Sequence, residues 1–165
     1  MFTPPKFLAA AILTVGILSL SPNALSGPTA TQTVTYQVTA INELAVSAPT
    51  VSLTVNAATA GSAPTTATDA STSYAITTNE SARKITGSIN TNMPTGVTLS
   101  ASLAAPTGGT SGGSLALTTT AVDLVTGIAT LTETGKTITY SLAATAAAGV
   151  VASASKTVTL TVTAE

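Results

Sequence analysis

The side chains that most often carry catalysis are nearly absent from this sequence. It contains no His, Cys or Trp. Nucleophilic catalysis by Ser or Thr needs a neighbouring base, and beyond the first 26 residues the only side-chain amines are those of Lys84, Lys136 and Lys156. None of the three stands in a motif that resembles a Ser–Lys pair. The sequence therefore predicts a protein that is not an enzyme and that has no catalytic residues.

The sequence offers equally little to a metal ion or a cofactor. Zinc would lack both thiolate and imidazole ligands, and the six acidic residues are scattered rather than paired or clustered. Asp69 and Asp123 are conceivable calcium ligands, but an Asp in a turn more commonly accepts hydrogen bonds from nearby backbone. The glycine-rich residues 106–114 lack the Lys of a phosphate-binding loop. We expect no cofactor and no bound metal.

The charge of the chain also excludes one class of partner. Five Lys and Arg residues face six Asp and Glu residues, and the formal net charge is −1. Nucleic acid binding needs clustered Lys or Arg side chains, and the sequence has no such cluster. We therefore expect no nucleic-acid partner.

The first 26 residues have the layout of a secretion signal. Lys6 supplies a positive start, residues 7–20 are apolar, and Ala24 and Ser26 are small residues at the positions that a signal peptidase reads. The apolar stretch is shorter than the roughly 20 residues that a membrane-spanning helix needs. We predict a signal helix over residues 1–26, cleaved after export through the inner membrane, with an uncleaved anchor as the alternative. The mature protein, residues 27–165, is expected to be secreted to the cell surface or beyond, without membrane insertion.

The mature sequence alternates apolar and small polar residues with period two, which is typical of half-buried strands. Residues 121–125 read as a short helical turn, residues 133–136 as a hairpin turn, and residues 106–114 as a flexible loop. The spacing predicts a single all-β domain, an antiparallel two-sheet immunoglobulin-like sandwich of about nine short strands. The predicted strands are residues 33–40, 50–57, 72–78, 84–90, 97–103, 115–121, 128–132, 136–144 and 157–164.

Two of the predicted strands, near opposite ends of the mature chain, have similar sequences. Residues 33–40 read TVTYQVTA and residues 157–164 read TVTLTVTA, with six of eight positions identical. So biased a composition can produce this match by coincidence. The alternative is that the two strands have related structural roles, either paired within one subunit or adjacent across two subunits.

An alternating strand directly after the signal and another at the end of a Thr/Ala-rich sandwich resemble bacterial fimbrial subunits, in particular the cysteine-free kind assembled by a chaperone and an usher. The resemblance implies that residues 33–40 add as a strand to another subunit, with Val34, Tyr36 and Val38 as the inserted face. It also implies self-association into polymers and a periplasmic chaperone as a possible partner. The terminal partner strand would present Val158, Leu160 and Val162. The chain is also similar to Thr-rich secreted surface proteins with sandwich folds.

Three classes of function stay open from the sequence. The first is a structural subunit of an extracellular fibre, pilus or matrix that assembles by β-strand addition. The second is a monomeric secreted adhesion or carbohydrate-binding module, in which Tyr36, Tyr74 and Tyr140 would either stack on sugars or belong to the core. The third is a binder of an ordered surface such as ice, but the Thr-x-Thr pairs follow no fixed repeat.

Overall fold

A computed structural model describes residues 27–165 of the chain, so the predicted signal helix over residues 1–26 lies outside the described residues. Residues 38–165 form one compact unit, and residues 27–37 belong to a separate N-terminal unit. The described residues contain nine strands and one short 3-10 helix, Ala146–Ala148. The strands are β1 (Asn42–Val46), β2 (Ala67–Thr78), β3 (Arg83–Ile89), β4 (Val97–Leu103), β5 (Thr110–Ser111), β6 (Leu115–Ala116), β7 (Val122–Ile128), β8 (Leu131–Ala144) and β9 (Val158–Ala164).

The strands form two antiparallel sheets. One has five strands in the order β1-β2-β8-β4-β6, and the other has four strands in the order β5-β7-β3-β9. The predicted all-β, two-sheet antiparallel sandwich is confirmed. Among the residues that the structure describes, no helix is long and apolar enough to cross a membrane.

The core lies between the inner faces of the two sheets. Period-two alternation places every second residue of a strand on the same face, and β3 shows this directly because Ile85, Gly87 and Ile89 are buried while Lys84, Thr86 and Ser88 are only partly covered. Aliphatic residues and one Tyr make up the buried set. Its members are Tyr74, Ile76, Ile85, Ile89, Leu99, Ala101, Leu103, Leu117, Leu124, Val125, Ile128 and Ile138.

Three of the sequence predictions are wrong around residues 121–136. Residues 121–125 are not helical but belong largely to β7, and the predicted strand over 128–132 is divided because the chain turns at residues 129–130. The predicted hairpin turn at 133–136 lies inside β8, where the pairing of β8 with β2 shifts in register. Gly135 has a φ of 69° at this bulge. A Gly with positive φ serves a bulge as well as a turn, so the sequence alone could not separate the two.

Two predicted strands have no strand partner in the structure. Residues 33–40 and residues 50–57 both alternate as strands should, but neither lies in a sheet. A strand exists only where another backbone supplies its hydrogen bonds. Alternation alone therefore overpredicted strands at these two places, whereas β1 forms in the intervening residues by pairing with β2.

The glycine-rich loop that follows β4 is tied to the sheets rather than free. The Tyr74 hydroxyl donates to the Ala104 carbonyl oxygen at 2.6 Å, and the Thr107 N–H donates to Glu133 Oε1 at 2.9 Å. Burial raises the pKa of Tyr74 to about 12, so the phenol keeps its proton for this bond. Further along the loop, Ser111 lies in β5, which pairs with β7. The prediction of a flexible loop from composition is therefore corrected by these anchoring contacts.

The carboxylate that holds this loop should make stability depend on acid pH. The Lys136 ammonium, 2.5 Å from Glu133 Oε2, and then the bonds from Thr107 hold the pKa of Glu133 at about 2. A carboxyl with a lowered folded-state pKa stabilises the native state above its ordinary value of 4.5, and this contribution is lost as the pH falls toward about 2. Urea unfolding of wild type and Glu133→Gln across this range should show the difference between them shrink toward acid. A constant difference would contradict the assignment.

Candidate assembly site

The three apolar side chains predicted as an inserted face are exposed. Val34, Tyr36 and Val38 are 74%, 89% and 78% exposed. In the alternating sequence of residues 33–40 these three side chains would share one face of a strand, and the Thr and Gln side chains would lie on the other face. Fully burying each such side chain is worth about 1.5–3 kcal/mol relative to leaving it in water. The segment therefore has an unused capacity to bind an apolar surface.

The chain directly after this segment is fixed by the turn between β2 and β3. Asn79 Oδ1 accepts the Ile41 N–H at 2.8 Å, and Asn79 Nδ2 donates to the Thr39 carbonyl oxygen at 2.8 Å. Asn42 Nδ2 donates to Glu80 Oε2 at 2.5 Å. Asn79 thus holds the backbone where residues 33–40 join β1, and Glu80 holds the side chain of Asn42.

The negative charge of the Glu80 carboxylate at this turn is stabilised by the neighbouring side chains of Asn42 and Arg83. The hydrogen bond from Asn42, followed by that from Arg83, lowers the pKa of Glu80, and Arg83 also forms an ion pair with this carboxylate. Asn42 Oδ1 in turn accepts from the Thr78 hydroxyl at 2.8 Å. Because Thr78 is buried, the network reaches from the surface into the end of the core.

The free edges of the two sheets differ on the two sides of the sandwich. On one side the edge strands are β5 and β6, each of only two residues. On the other side the edges are β1 and β9, with five and seven residues. Within residues 27–165, β9 pairs with β3 alone. Very short edge strands resist pairing with other chains, whereas an unpaired longer edge offers free N–H and C=O groups to a further strand.

The predicted terminal partner strand lies at this open edge. Val158, Leu160 and Val162 are half-buried and pack against the core. Their partners in β3 are Ile89, Gly87 and Ile85 respectively, and both isoleucines are almost completely buried. The edge of the core is therefore less covered at β9 than at β3. An added strand with inward apolar side chains would complete this coverage.

A cleft of about 750 Å³ opens at the residues that precede β9. It is lined by residues 53–58 and by most of residues 144–156, together with Met93, Val97 and Leu142. No backbone hydrogen bond joins residues 50–56 or 150–155 to any other part of the described chain. The lining of the cleft therefore includes apolar side chains and two stretches of unpaired backbone.

The one charged residue among the described residues that line the cleft donates two hydrogen bonds from its ammonium group. Lys156 Nζ donates to Thr91 Oγ1 at 2.7 Å and to the Asn92 carbonyl oxygen at 2.9 Å. The adjacent Thr157 N–H donates to Asn90 Oδ1 at 3.1 Å. Lys156 thus fixes the loop after β3 to the start of β9.

The structure places the sequence-predicted residues in two groups. Val158, Leu160 and Val162 share one strand, whereas Val34, Tyr36 and Val38 lie in a segment that is part of no sheet. The two matching segments are therefore not paired in this structure. The cleft was not predicted from the sequence, because residues 50–57 alternate like a strand and so hide the long stretch without a regular strand over residues 47–66.

Other candidate sites receive structural explanations. Asp69 Oδ1 accepts from the backbone N–H and the hydroxyl of Ser71, and Asp123 forms an ion pair with Lys84 at 3.0 Å. Tyr74 is buried, so the three tyrosines do not make one exposed platform for sugars. Within residues 27–165 no group of three or more His, Cys, Asp and Glu side chains is positioned to hold a metal ion.

Comparison with protein-family models, with curated proteins and with solved structures finds no match to this chain.

Proposed function

We propose that this protein is a non-enzymatic structural subunit of an extracellular fibre, pilus or matrix, and that copies assemble by β-strand addition. The observation that carries the proposal is the exposed, unpaired and alternating segment of residues 33–40. Val34, Tyr36 and Val38 share one face of it and are each more than two-thirds exposed. An extended segment of this kind binds a sheet edge by main-chain hydrogen bonds and gains specificity from pockets for alternate side chains.

The receiving edge in this proposal is β9. It is the longer of the two free edges on the open side, and the half-burial of Val158, Leu160 and Val162 leaves apolar surface to cover. Three donated side chains at about 1.5–3 kcal/mol each would give a long-lived junction. Secretion of the subunit after removal of residues 1–26 belongs to the same proposal, because a fibre of this kind forms outside the cell.

The test compares two triple variants with equal added charge. The first variant places three charges on the apolar face of the segment and is Val34→Asp/Tyr36→Asp/Val38→Asp. The second places three charges on its polar face and is Thr33→Asp/Thr35→Asp/Gln37→Asp. Burying unpaired carboxylates is strongly unfavourable, so the first variant should be monomeric. The second should polymerise like wild type, because its charges stay in water. Electron microscopy and light scattering after size exclusion measure the difference.

A synthetic peptide TVTYQVTA should bind the monomeric variant, whose receiving edge is intact. Polymers of the apolar-phase variant, or a wild-type protein that is monomeric at high concentration, would contradict strand addition. The function would then be that of a monomeric adhesion or carbohydrate-binding module.

A further inference from the structure

The cleft before β9 carries apolar surface that is only partly covered by the described chain. Its larger apolar side chains are half-buried, and they are Leu53, Val55, Met93, Val97 and Leu142. Sites for small molecules have volumes of roughly 300–1,000 Å³ and are lined mostly by apolar side chains. The cleft, at about 750 Å³, therefore has the size and the lining of a small-molecule site.

The loops on both sides of the cleft are anchored. The Thr145 N–H donates to the Gly96 carbonyl oxygen at 2.8 Å, and a Cβ atom at Gly96 would lie only 2.7 Å from Thr145 Oγ1. On the other side, the Thr65 N–H donates to the Ala57 carbonyl oxygen at 2.8 Å and closes the loop over residues 58–64. These bonds agree with a site that is largely formed before its ligand arrives.

One positive charge at the cleft has no carboxylate partner. Within residues 27–165, Arg83, Lys84 and Lys136 each form an ion pair with an acidic side chain, whereas Lys156 forms none. The described residues that line the cleft include no Asp and no Glu. The charge of Lys156 is therefore not balanced by a negative charge at this site.

The Lys156 ammonium also keeps a hydrogen-bond donor for a ligand. Its Nζ donates to Thr91 Oγ1 at 2.7 Å and to the Asn92 carbonyl oxygen at 2.9 Å. A lysine ammonium has three N–H donors, so one donor is left over within the described chain. The two bonds that it makes hold the ammonium in place, and hydrogen bonds between charged groups are the strong ones.

We infer that the cleft binds a fatty acid, with the carboxylate at the Lys156 ammonium and the alkyl chain along the half-buried apolar side chains. Both parts of this ligand match the site. An uncharged apolar molecule would leave the ammonium without a counter-charge, and a small polar anion would leave the apolar lining in water. The inference does not depend on strand addition.

The first test measures the choice of wild type among ligands that share one alkyl chain. Decanoate, decanol and decylamine are titrated by calorimetry below the concentrations at which they form micelles. Decanoate should bind at least about tenfold more tightly than decanol, because a hydrogen bond to a charged group is lost with the alcohol. Decylamine should bind more weakly than decanol. From octanoate to dodecanoate the affinity should rise by up to about fourfold for each added methylene.

Substitution of Lys156 separates recognition of the carboxylate from support of the loop. In Lys156→Met the affinity for decanoate should fall to that for decanol, whereas a purely structural role would weaken both ligands equally. Lys156→Arg should keep the preference. Lys84→Met, which removes a positive charge outside the cleft lining, should also keep it. If Lys156→Met loses the thermal transition of wild type, Lys156→Gln replaces it.

Neighbouring residues of β8 test the position of the alkyl chain. Ala144 lines the cleft and pairs with Val97, which lines it too. Ala143 lies on the other face of the strand and pairs with the exposed Thr98. Ala144→Phe fills part of the cleft and should weaken decanoate at least about tenfold, and Ala143→Phe should bind like wild type. If Ala144→Phe does not fold, the smaller change Ala144→Leu replaces it.

Four outcomes would overturn the inference. They are equal affinity of wild type for decanoate and decanol, no binding of either, an unchanged preference in a folded Lys156→Met or Lys156→Gln variant, and displacement of decanoate by the peptide TVTYQVTA. The last result would make the cleft part of the assembly surface instead. Failure of the proposed function is a separate result, because the Val34→Asp/Tyr36→Asp/Val38→Asp variant should bind decanoate like wild type whether or not wild type polymerises.

Discussion

Ile85→Asp is expected to abolish the folded state. Ile85 is 0% exposed and lies in β3, between Val125 of β7 and Val162 of β9. An unpaired carboxylate at this position costs several kcal/mol, and a domain of this kind has only about 5–15 kcal/mol of stability in total. Loss of the cooperative urea transition and of soluble protein would measure the effect.

The matched control for this substitution is Ser88→Asp in the same strand. Ser88 lies on the outward face of β3, and its partner in β9 is Thr159. Its new charge stays in water, so the free energy of unfolding should fall by less than about 1 kcal/mol. Equal damage from both changes would mean that the inward and outward faces of β3 are assigned incorrectly.

Gly87→Val is expected to destabilise the domain by at least about 1–3 kcal/mol. A Cβ atom at Gly87 would lie 2.5 Å from Leu124 Cδ1 and 3.3 Å from Leu117 Cδ2. Both leucines are buried, so neither can move aside without disturbing close-packed neighbours. The reason for Gly at this position is the close approach of the Leu124 side chain, from the neighbouring strand β7 of the same sheet, and of Leu117.

A double variant checks that this clash is the cause. Leu124→Ala alone should cost about 2–5 kcal/mol because it leaves a cavity. In Gly87→Val/Leu124→Ala the added methyl groups occupy part of that cavity, so the loss should be smaller than the sum by about 0.5–3 kcal/mol. Simple additivity of the two losses, measured by urea unfolding, would contradict direct contact between these side chains.

Local sequence patterns predicted some strands well. The predicted strand over residues 97–103 coincides with β4, and the last strand was predicted over 157–164 and is found at Val158–Ala164. In both, a steady alternation of apolar and hydroxyl residues determines which side faces the core. The pattern failed around Gly135, where a bulge in β8 was taken for a turn.

The candidate assembly site was predicted only in part. Residues 33–40 and β9 follow from their alternation, but the cleft depends on residues 53–58, 93–97 and 144–156 meeting in space. Nothing in the sequence of any one of these stretches indicates the other two. The tethering of residues 39–42 by Asn79 and Glu80 was likewise not predicted, since it links residues almost forty positions apart.

The sequence by itself determined the fold class of the protein. The alternation of apolar and small polar residues indicates strands and determines which side of each strand is apolar. Only the tertiary structure decided which strand-like segments are paired. Residues 158–164 are paired with β3, whereas 33–40 and 50–57 are not paired at all. The physical reason is that a strand's own residues set its pattern, but its hydrogen bonds are made to a backbone that is distant in sequence or belongs to another chain.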